Sequence, residues 1–146
     1  AEDSLRKHGL VGCEAAASYL ADPNPVIRQR AASFMSQMHE VASPFVHPLM
    51  NLLGDSDVAV RQAAVEALGQ IGAIVGENCV DALAQLLDDA HEGVRCSAIV
   101  ALGQLAKLAS NHKLKLCIVM HKGSAHMKRC AIHTLANIVA EHLPGD

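Results

Sequence analysis

Residues 55–72 read DSDVAVRQAAVEALGQIG, and residues 88–106 read DDAHEGVRCSAIVALGQLA, which is nearly the same sequence again. Arg61 and Arg95 lie 34 residues apart, and each is followed by Ala and by Ala-Leu-Gly-Gln at matched offsets. Self-similarity with a period of roughly 20 to 50 residues is typical of repeat architectures. Two weaker copies lie 33 residues further out on either side, around Arg28 and Lys128. The chain is therefore predicted to consist of four repeats.

Each copy contains the pattern of an amphipathic helix. Counted from the basic residue, apolar side chains recur at offsets 3, 7 and 10, which lie on one face of an α-helix. A second apolar segment with helical spacing precedes each copy, so every unit is predicted to be a helix, a tight turn and a helix. The apolar positions are Ala31, Met35, Met38, Ala64, Leu68, Ile71, Ala98, Leu102, Leu105, Ala131, Leu135 and Ile138.

The start of the first helix in the second unit has two interpretations. Ser43 and Pro44 read as a cap followed by a proline at the first helical position. Pro48 does not fit a straight helix from Pro44, so that helix either kinks or begins later.

An Asp in the turn, Val-Arg or Ile-Arg entering the second helix, and then Ala and Ala-Leu-Gly together resemble the HEAT repeat, including the HEAT-like units of phycobilin lyases. The resemblance covers essentially the whole chain and implies an all-α fold, an α-solenoid of four helix-turn-helix repeats in a right-handed superhelical stack. We predict one domain over residues 1–146, with repeats at 1–41, 42–75, 76–108 and 109–143. The sequence leaves open that the array continues into further repeats.

Three aspartates precede a helical arginine by six residues: Asp22 and Arg28, Asp55 and Arg61, Asp89 and Arg95. The resemblance to HEAT repeats implies that such pairs form within and between repeats, as a structural ladder along the stack. An arginine row that grips phosphates is the less favoured alternative. The fourth copy has Lys122 in place of the aspartate, so we expect the ladder to be broken there.

Offsets 1, 5 and 9 of each second helix point away from the apolar face. In HEAT arrays the second helices line the concave surface, so the resemblance implies that these residues bind a partner; a solvated helix face is the alternative. Carboxamides recur at offset 9 and can donate and accept hydrogen bonds to a peptide backbone. The predicted partner-binding residues are Gln29, Ser33, Gln37, Gln62, Glu66, Gln70, Val100, Gln104, Lys128, Arg129, His133 and Asn137; Cys96 occupies the remaining position.

Charge is distributed unevenly along the chain. Residues 1–92 carry a net charge of −8 and residues 93–146 a net charge of +5. A basic end can steer an acidic protein or peptide towards it, although a solvated surface or a junction with another repeat would have the same composition. Nucleic acid is less favoured, because no aromatic residues interleave with the basic ones and the whole chain is acidic.

Five cysteines fall at helical positions and form no close sequence pair, which favours free thiols in a reducing compartment. We therefore predict a cytosolic protein, with the nucleus as the alternative. No apolar run reaches the roughly 18 residues of a membrane span, so no membrane association is predicted.

The sequence offers weak candidates for chemistry. Cys117, His121, His126 and Cys130 form two i, i+4 pairs, which could hold zinc, yet their spacing matches no closed zinc module. His-Glu dipeptides occur at residues 39–40 and 91–92. The HEAT-repeat metal hydroxylases bind iron through His-Glu pairs on their helices, whereas these two dipeptides are expected in a link and a turn, so they do not match that motif. We predict no enzyme, no metal and no cofactor, and a non-catalytic scaffold that binds a protein or peptide. A repeat-built enzyme of bilin lyase or metal hydroxylase type is the alternative.

Overall fold

The computed structural model describes residues 2–105, 109, 112–141 and 143. These residues form eight α-helices, and no strand occurs among them. The helices are α1 (Glu2–Ala17), α2 (Pro25–Gln37), α3 (Val46–Asn51), α4 (Val58–Ile71), α5 (Glu77–Gln85), α6 (Glu92–Gln104), α7 (Lys113–Lys122) and α8 (Ala125–Glu141). Taken in pairs they are the four predicted helix-turn-helix units, and the fold is an α-solenoid.

The first helices of the two middle units, α3 and α5, are short, and each is flanked by two 3₁₀ turns. These turns are at 39–45 and 52–54 around α3, and at 73–75 and 86–88 around α5. The predicted cap at Ser43 and Pro44 is wrong, because both residues lie within the 3₁₀ segment His39–Phe45. The α-helix begins later, at Val46, so that Pro48 falls in its first turn, where a missing N–H costs no intrahelical hydrogen bond.

Each second helix begins with a polar cap at the same position of the repeat. The side chains of Asn24, Asp57, His91 and Ser124 accept a hydrogen bond from a main-chain N–H in the first turn of α2, α4, α6 and α8. Such caps satisfy N–H groups that have no partner within the helix. Gly72 ends α4 at a φ of 85°, a conformation that glycine adopts readily.

The core runs continuously through the stack. The predicted apolar positions are buried, except that Met38 and Leu135 are half-buried. Offset 3 is alanine in all four units, and these alanines are at most 7% exposed, which lets the helices approach closely. Cys96, which was expected on the outward face, is buried at 8% exposure.

The four second helices lie side by side, and small residues set their spacing. A Cβ added at Gly69 of α4 would lie 3.2 Å from Cα of Ala101 in α6. A Cβ added at Gly103 of α6 would lie 3.5 Å from Cα of Thr134 in α8. Offset 8 of each second helix therefore faces the following unit, and offset 6 faces the preceding one.

No helix in the described part of the chain is both long enough and apolar enough to cross a membrane.

Candidate functional site: the second-helix groove and the ladder beside it

Arginine and aspartate join successive units at two junctions. Arg28 donates from Nε and Nη2 to the two carboxylate oxygens of Asp55, at 2.8 and 3.0 Å. Arg61 does the same to Asp89, at 3.0 and 3.2 Å. A guanidinium matches both oxygens of a carboxylate in one plane, so each contact is bidentate and directional. We call these two ion pairs the arginine–aspartate ladder.

Within a unit the arginine contacts the aspartate differently from the implied ion pair. Nη1 of Arg28, Arg61 and Arg95 donates to the main-chain carbonyl of the aspartate six residues earlier, at 2.7, 2.8 and 2.6 Å. The carboxylate itself faces the preceding unit. Among the described residues the carboxylate–guanidinium ion pairs therefore form between units and not within one, because the turn aims the carbonyl and the carboxylate in different directions.

The ladder changes the pKa of its members in the expected directions. The hydrogen bonds from Arg28 lower the pKa of Asp55, and the same contact raises the pKa of Arg28. Burial alone would raise the pKa of Asp89, but the His91 N–H and Arg61 outweigh it, so that this pKa is lowered as well. Both carboxylates are therefore held in the charged form.

The third junction has no such pair. Among the described residues Arg95 contacts no carboxylate within ion-pair distance, and Lys122 stands at the position of the aspartate. Other polar contacts cross this junction: the Thr134 hydroxyl donates to the buried main-chain carbonyl of Ile99 at 2.8 Å, and the Ser124 hydroxyl donates to the Glu92 carboxylate.

Two adjoining depressions lie on the face formed by α4, α6 and α8. The larger, about 490 Å³, opens between α6 and α8, and the smaller, about 300 Å³, extends to α4. Both are lined by Val100, Gln104, His126 and Cys130, so they form one continuous surface, which we call the second-helix groove.

Seven of the predicted partner-binding residues line this groove. Glu66 and Gln70 come from α4, Val100 and Gln104 from α6, and the rest from α8. The α8 members are Arg129, His133 and Asn137. The structure thus brings together residues that are up to 71 positions apart in the sequence, from Glu66 to Asn137.

Five predicted residues lie outside the groove. Gln29, Ser33 and Gln37 are on α2, and Gln62 is near the start of α4; none of them lines either depression. Lys128 is exposed on α8, at the position that holds the ladder arginine in the other units.

Sequence reasoning missed a second row of groove residues. Ser97, Gly103, His126, Cys130 and Thr134 line the groove but lie at offsets −2, 2, 6 and 8 rather than 1, 5 and 9. The i, i+4 spacing of His126, Cys130 and Thr134 was the available signal, but the first two had been assigned to a zinc hypothesis.

The described cysteines and histidines are not gathered into a metal centre. Cys130 Sγ and His126 Nε2 lie 3.9 Å apart, and in the part of the chain that the structure describes no three His, Cys, Asp or Glu residues are grouped to hold a metal ion. The cysteines are unpaired. Burial raises the pKa of Cys13, of Cys96 and of Cys79, the last to about 12, so these thiols stay protonated.

Comparison with known proteins assigns the class first. The solved structure of an engineered protein superposes with a TM-score of 0.75 at 22% identity, over 86% of this chain and 62% of that one. A designed armadillo repeat protein in complex with the peptide (KR)4 superposes with a TM-score of 0.71 at 21% identity, over 84% and 62%. The fold is therefore that of an armadillo- or HEAT-type α-solenoid, and this chain spans less than two thirds of either neighbour.

Sequence comparison names the repeat. Residues 46–115, from the start of α3 into α7, match the family described as HEAT repeats. A stretch of 74 residues is 33% identical to Zygote defective protein 9 of Caenorhabditis elegans; it makes up 44% of this chain and 5% of that protein. The resemblance to phycobilin lyases stays a prediction.

Proposed function

We propose that this protein is a non-catalytic binding module that holds an extended peptide segment of a partner protein in the second-helix groove. The observation that carries the proposal is the convergence of polar side chains from three consecutive second helices on one continuous depression. A groove that crosses parallel helices contacts an extended chain at regular intervals, one set of side chains per repeat.

The lining suits a peptide backbone. The carboxamides of Gln70, Gln104 and Asn137 each offer two N–H donors and one acceptor oxygen, as an extended backbone requires. Val100, 49% exposed in the middle of the groove, offers an apolar contact for a partner side chain. Such a site would hydrogen-bond to the backbone of the partner peptide through its amide side chains, and would be selective for the peptide's side chains at only a few positions.

The charge of the groove favours acidic residues at one end. Arg129 and two imidazoles, those of His126 and His133, lie at the α8 end, and Glu66 lies at the α4 end. We therefore propose a partner segment with Asp or Glu over α8. The designed armadillo neighbour is in complex with the peptide (KR)4, so a protein of similar fold binds a charged peptide.

An enzyme of bilin lyase or metal hydroxylase type gains no support from the described residues. Three of the five thiols are buried and have raised pKa values. In the described part of the chain the one cysteine–histidine contact, Cys130 with His126, has no third His, Cys, Asp or Glu beside it that could complete a metal site. We propose a cytosolic location, because free cysteines persist in reducing compartments. Nucleic acid stays the less favoured partner.

The test is a selection of peptides from a random library on the immobilised protein, followed by fluorescence anisotropy with the best binders. We expect acidic sequences to be enriched and to bind with micromolar Kd, weakening as salt rises. Arg129→Glu should weaken binding about tenfold and flatten the salt dependence. Lys128→Glu, the neighbouring charge outside the groove, is its matched control and should leave Kd within about twofold.

A second pair of variants tests the amide row. Gln104→Ala should weaken binding severalfold, whereas Gln37→Ala, at the same repeat position but on α2, should have no effect. The proposal would be contradicted if Kd changed equally in Arg129→Glu and Lys128→Glu and also equally in Gln104→Ala and Gln37→Ala. It would also be contradicted if the library yielded no peptide that binds at about 100 μM protein.

A further inference from the structure

The guanidinium of Arg95 is held like those of the ladder arginines but has no carboxylate to bind. Arg28 and Arg61 each donate from Nε and Nη2 to a carboxylate of the next unit. Arg95 has the same anchor, since its Nη1 donates to the main-chain carbonyl of Asp89 at 2.6 Å. Among the described residues its Nε and Nη2 meet no carboxylate within ion-pair distance. Two donors of a planar group are therefore left unused at the third junction.

The turn between α7 and α8 offers a further donor that an aspartate would use. In the second and third units the turn aspartates, Asp55 and Asp89, also accept from the main-chain N–H two residues later, at 2.9 Å in both cases. In the fourth unit Lys122 takes the place of the aspartate, so the corresponding N–H is that of Ser124. This N–H lies at the start of α8, and a helix N-terminus carries partial positive charge.

These groups border one depression of about 320 Å³ beside the ladder. Arg95, Lys122 and Ser124 line it, so the unused edge of the guanidinium and the α7–α8 turn share one space. Lys122 is exposed and adds a second cation, for which the described residues provide no ion-pair partner. Asp88 and Glu92 also line the depression, and Glu92 accepts a hydrogen bond from the Ser124 hydroxyl.

We propose that this depression binds an oxyanion, a carboxylate or a phosphoryl group, in the place of the aspartate that the fourth unit lacks. The oxyanion accepts from Nε and Nη2 of Arg95 and from the main-chain N–H of Ser124, while the Lys122 ammonium offsets its remaining charge. The site is separate from the second-helix groove, because none of these three residues lines the groove.

The two complete junctions are the template for this assignment. In both of them an arginine with the same anchor and a main-chain N–H of the same turn hold a carboxylate. At the third junction the donors are kept and only the acceptor is missing, which favours an anion over a neutral ligand. The two acidic side chains on the wall oppose a negative ligand, so a small free anion should bind with millimolar Kd.

Titration of the unmodified ¹⁵N-labelled protein with inorganic phosphate, at constant pH and ionic strength, tests the proposal. We expect the Nε–H resonance of Arg95 and the amide resonance of Ser124 to shift saturably, with Kd of about 1 to 10 mM. The Nε–H resonances of Arg28 and Arg61 are internal controls and should not move, because carboxylates already occupy them. The proposal is overturned if Arg95 is unmoved at about 50 mM phosphate, or if all three arginines respond alike.

A variant that supplies the carboxylate from the chain itself should close the site. In Lys122→Asp, phosphate should no longer shift the Arg95 Nε–H resonance. Lys128→Asp makes the same change of charge outside the depression and should keep Kd within about threefold. A phosphate response that survives in Lys122→Asp, or that both variants lose equally, also overturns the proposal.

Three short peptides distinguish the two sources of the oxyanion. They share one glycine-rich sequence and carry serine, aspartate or phosphoserine at its centre. If the group belongs to a partner chain, the aspartate and phosphoserine peptides should shift Arg95 and compete with phosphate, whereas the serine peptide should do neither. If the ligand is a free ion, phosphate should shift Arg95 at an unchanged Kd in the presence of any of the three peptides.

Discussion

At the α2–α4 and α4–α6 junctions an arginine of one unit binds the aspartate of the next, whereas at the α6–α8 junction Lys122 stands where that aspartate should be. The third junction also holds the larger part of the groove, about 490 Å³ against about 300 Å³ for the part that reaches α4. At offset 6 it has Thr134 where α4 and α6 have Ala67 and Ala101.

The difference shows how one repeat pattern forms two kinds of junction. Where the aspartate and the small alanines are kept, the units are fastened by a bidentate ion pair and packed closely. Where they are replaced, polar side chains such as Thr134 and Cys130 border the larger depression. Among the described residues the last junction therefore lacks the bidentate ion pair and borders the larger depression, which is the surface that we propose for the partner.

The largest effect should follow loss of a ladder arginine. Arg61→Ala leaves the Asp89 carboxylate, 9% exposed, without its cation, and should lower the free energy of unfolding by about 3 kcal/mol. Arg95→Ala removes the hydrogen bond to the Asp89 carbonyl, the contact that Arg95 makes among the described residues, and should cost about 1 kcal/mol. Urea unfolding followed by circular dichroism measures both. Equal costs would mean that the first two junctions are not fastened by the ladder.

Next in size is the hydroxyl that is specific to the third junction. Thr134→Val removes the buried hydrogen bond to the Ile99 carbonyl at nearly constant volume and should cost about 1 to 1.5 kcal/mol. Thr134→Ser keeps the hydroxyl, so it should retain that bond and lose only the contacts of one methyl group. If the serine variant is no more stable than the valine variant, the hydrogen bond does not fasten α8 to α6.

A smaller gain should follow from supplying the missing carboxylate. Lys122→Asp places an aspartate opposite Arg95 and should stabilise the protein by about 0.5 to 1 kcal/mol at low salt. Lys122→Asn removes the lysine charge without adding a carboxylate and serves as the control. The account of the broken ladder fails if the two variants are equally stable, or if added salt does not reduce the gain.

The smallest effect is expected in acid. The pKa values of Asp55 and Asp89 are lowered in the folded protein, so the folded state binds fewer protons than the unfolded state. Their contribution is fully present above the unfolded value of about 3.9 and is lost as pH falls through the lower folded pKa values. Stability measured from pH 6 to pH 3 should decline less steeply below about pH 4 in Asp55→Asn than in the wild type. If the stability of the wild type and of Asp55→Asn fell in parallel with pH, the charged form of the Asp55 carboxylate would not be stabilised by folding.

Most of the architecture was predictable from the sequence. Arginine, then alanine three residues later and Ala-Leu-Gly six residues later, recurs along the chain, and this recurrence fixes both the length of the repeat and the buried face of its second helix. The 3₁₀ segment at 39–45 was not, since Pro44 and Pro48 allow a kink or a late start, and packing decides between them. The ladder was predicted in part: the resemblance implied pairs within and between repeats, but the Arg28 guanidinium pairs with the carboxylate of Asp55, 27 residues away, and contacts only the main-chain carbonyl of Asp22. Only the stacking of units shows which way the turn carboxylate points.

The candidate site was half predictable. Helical periodicity selects Glu66, Gln70, Gln104 and their equivalents on α8, because offsets 1, 5 and 9 must face away from the core. It cannot say that the groove opens at α4, α6 and α8 but leaves out Gln29 and Gln37 on α2, since that depends on how closely neighbouring helices pack. The row at His126 and Cys130 borders the groove for the same reason.

The central claim is that the second-helix groove is where the partner binds, and chemical-shift mapping tests it most directly. The ¹⁵N-labelled protein is titrated with the tightest acidic peptide from the library selection, at a protein concentration where it is monomeric. The account predicts that the amide shifts that move most belong to α4, α6 and α8, centred on Gln70, Gln104 and His133, with little change on α2, α3 and α5. Shifts concentrated on the first helices or on the turns, with Gln104 and His133 unmoved, would contradict it.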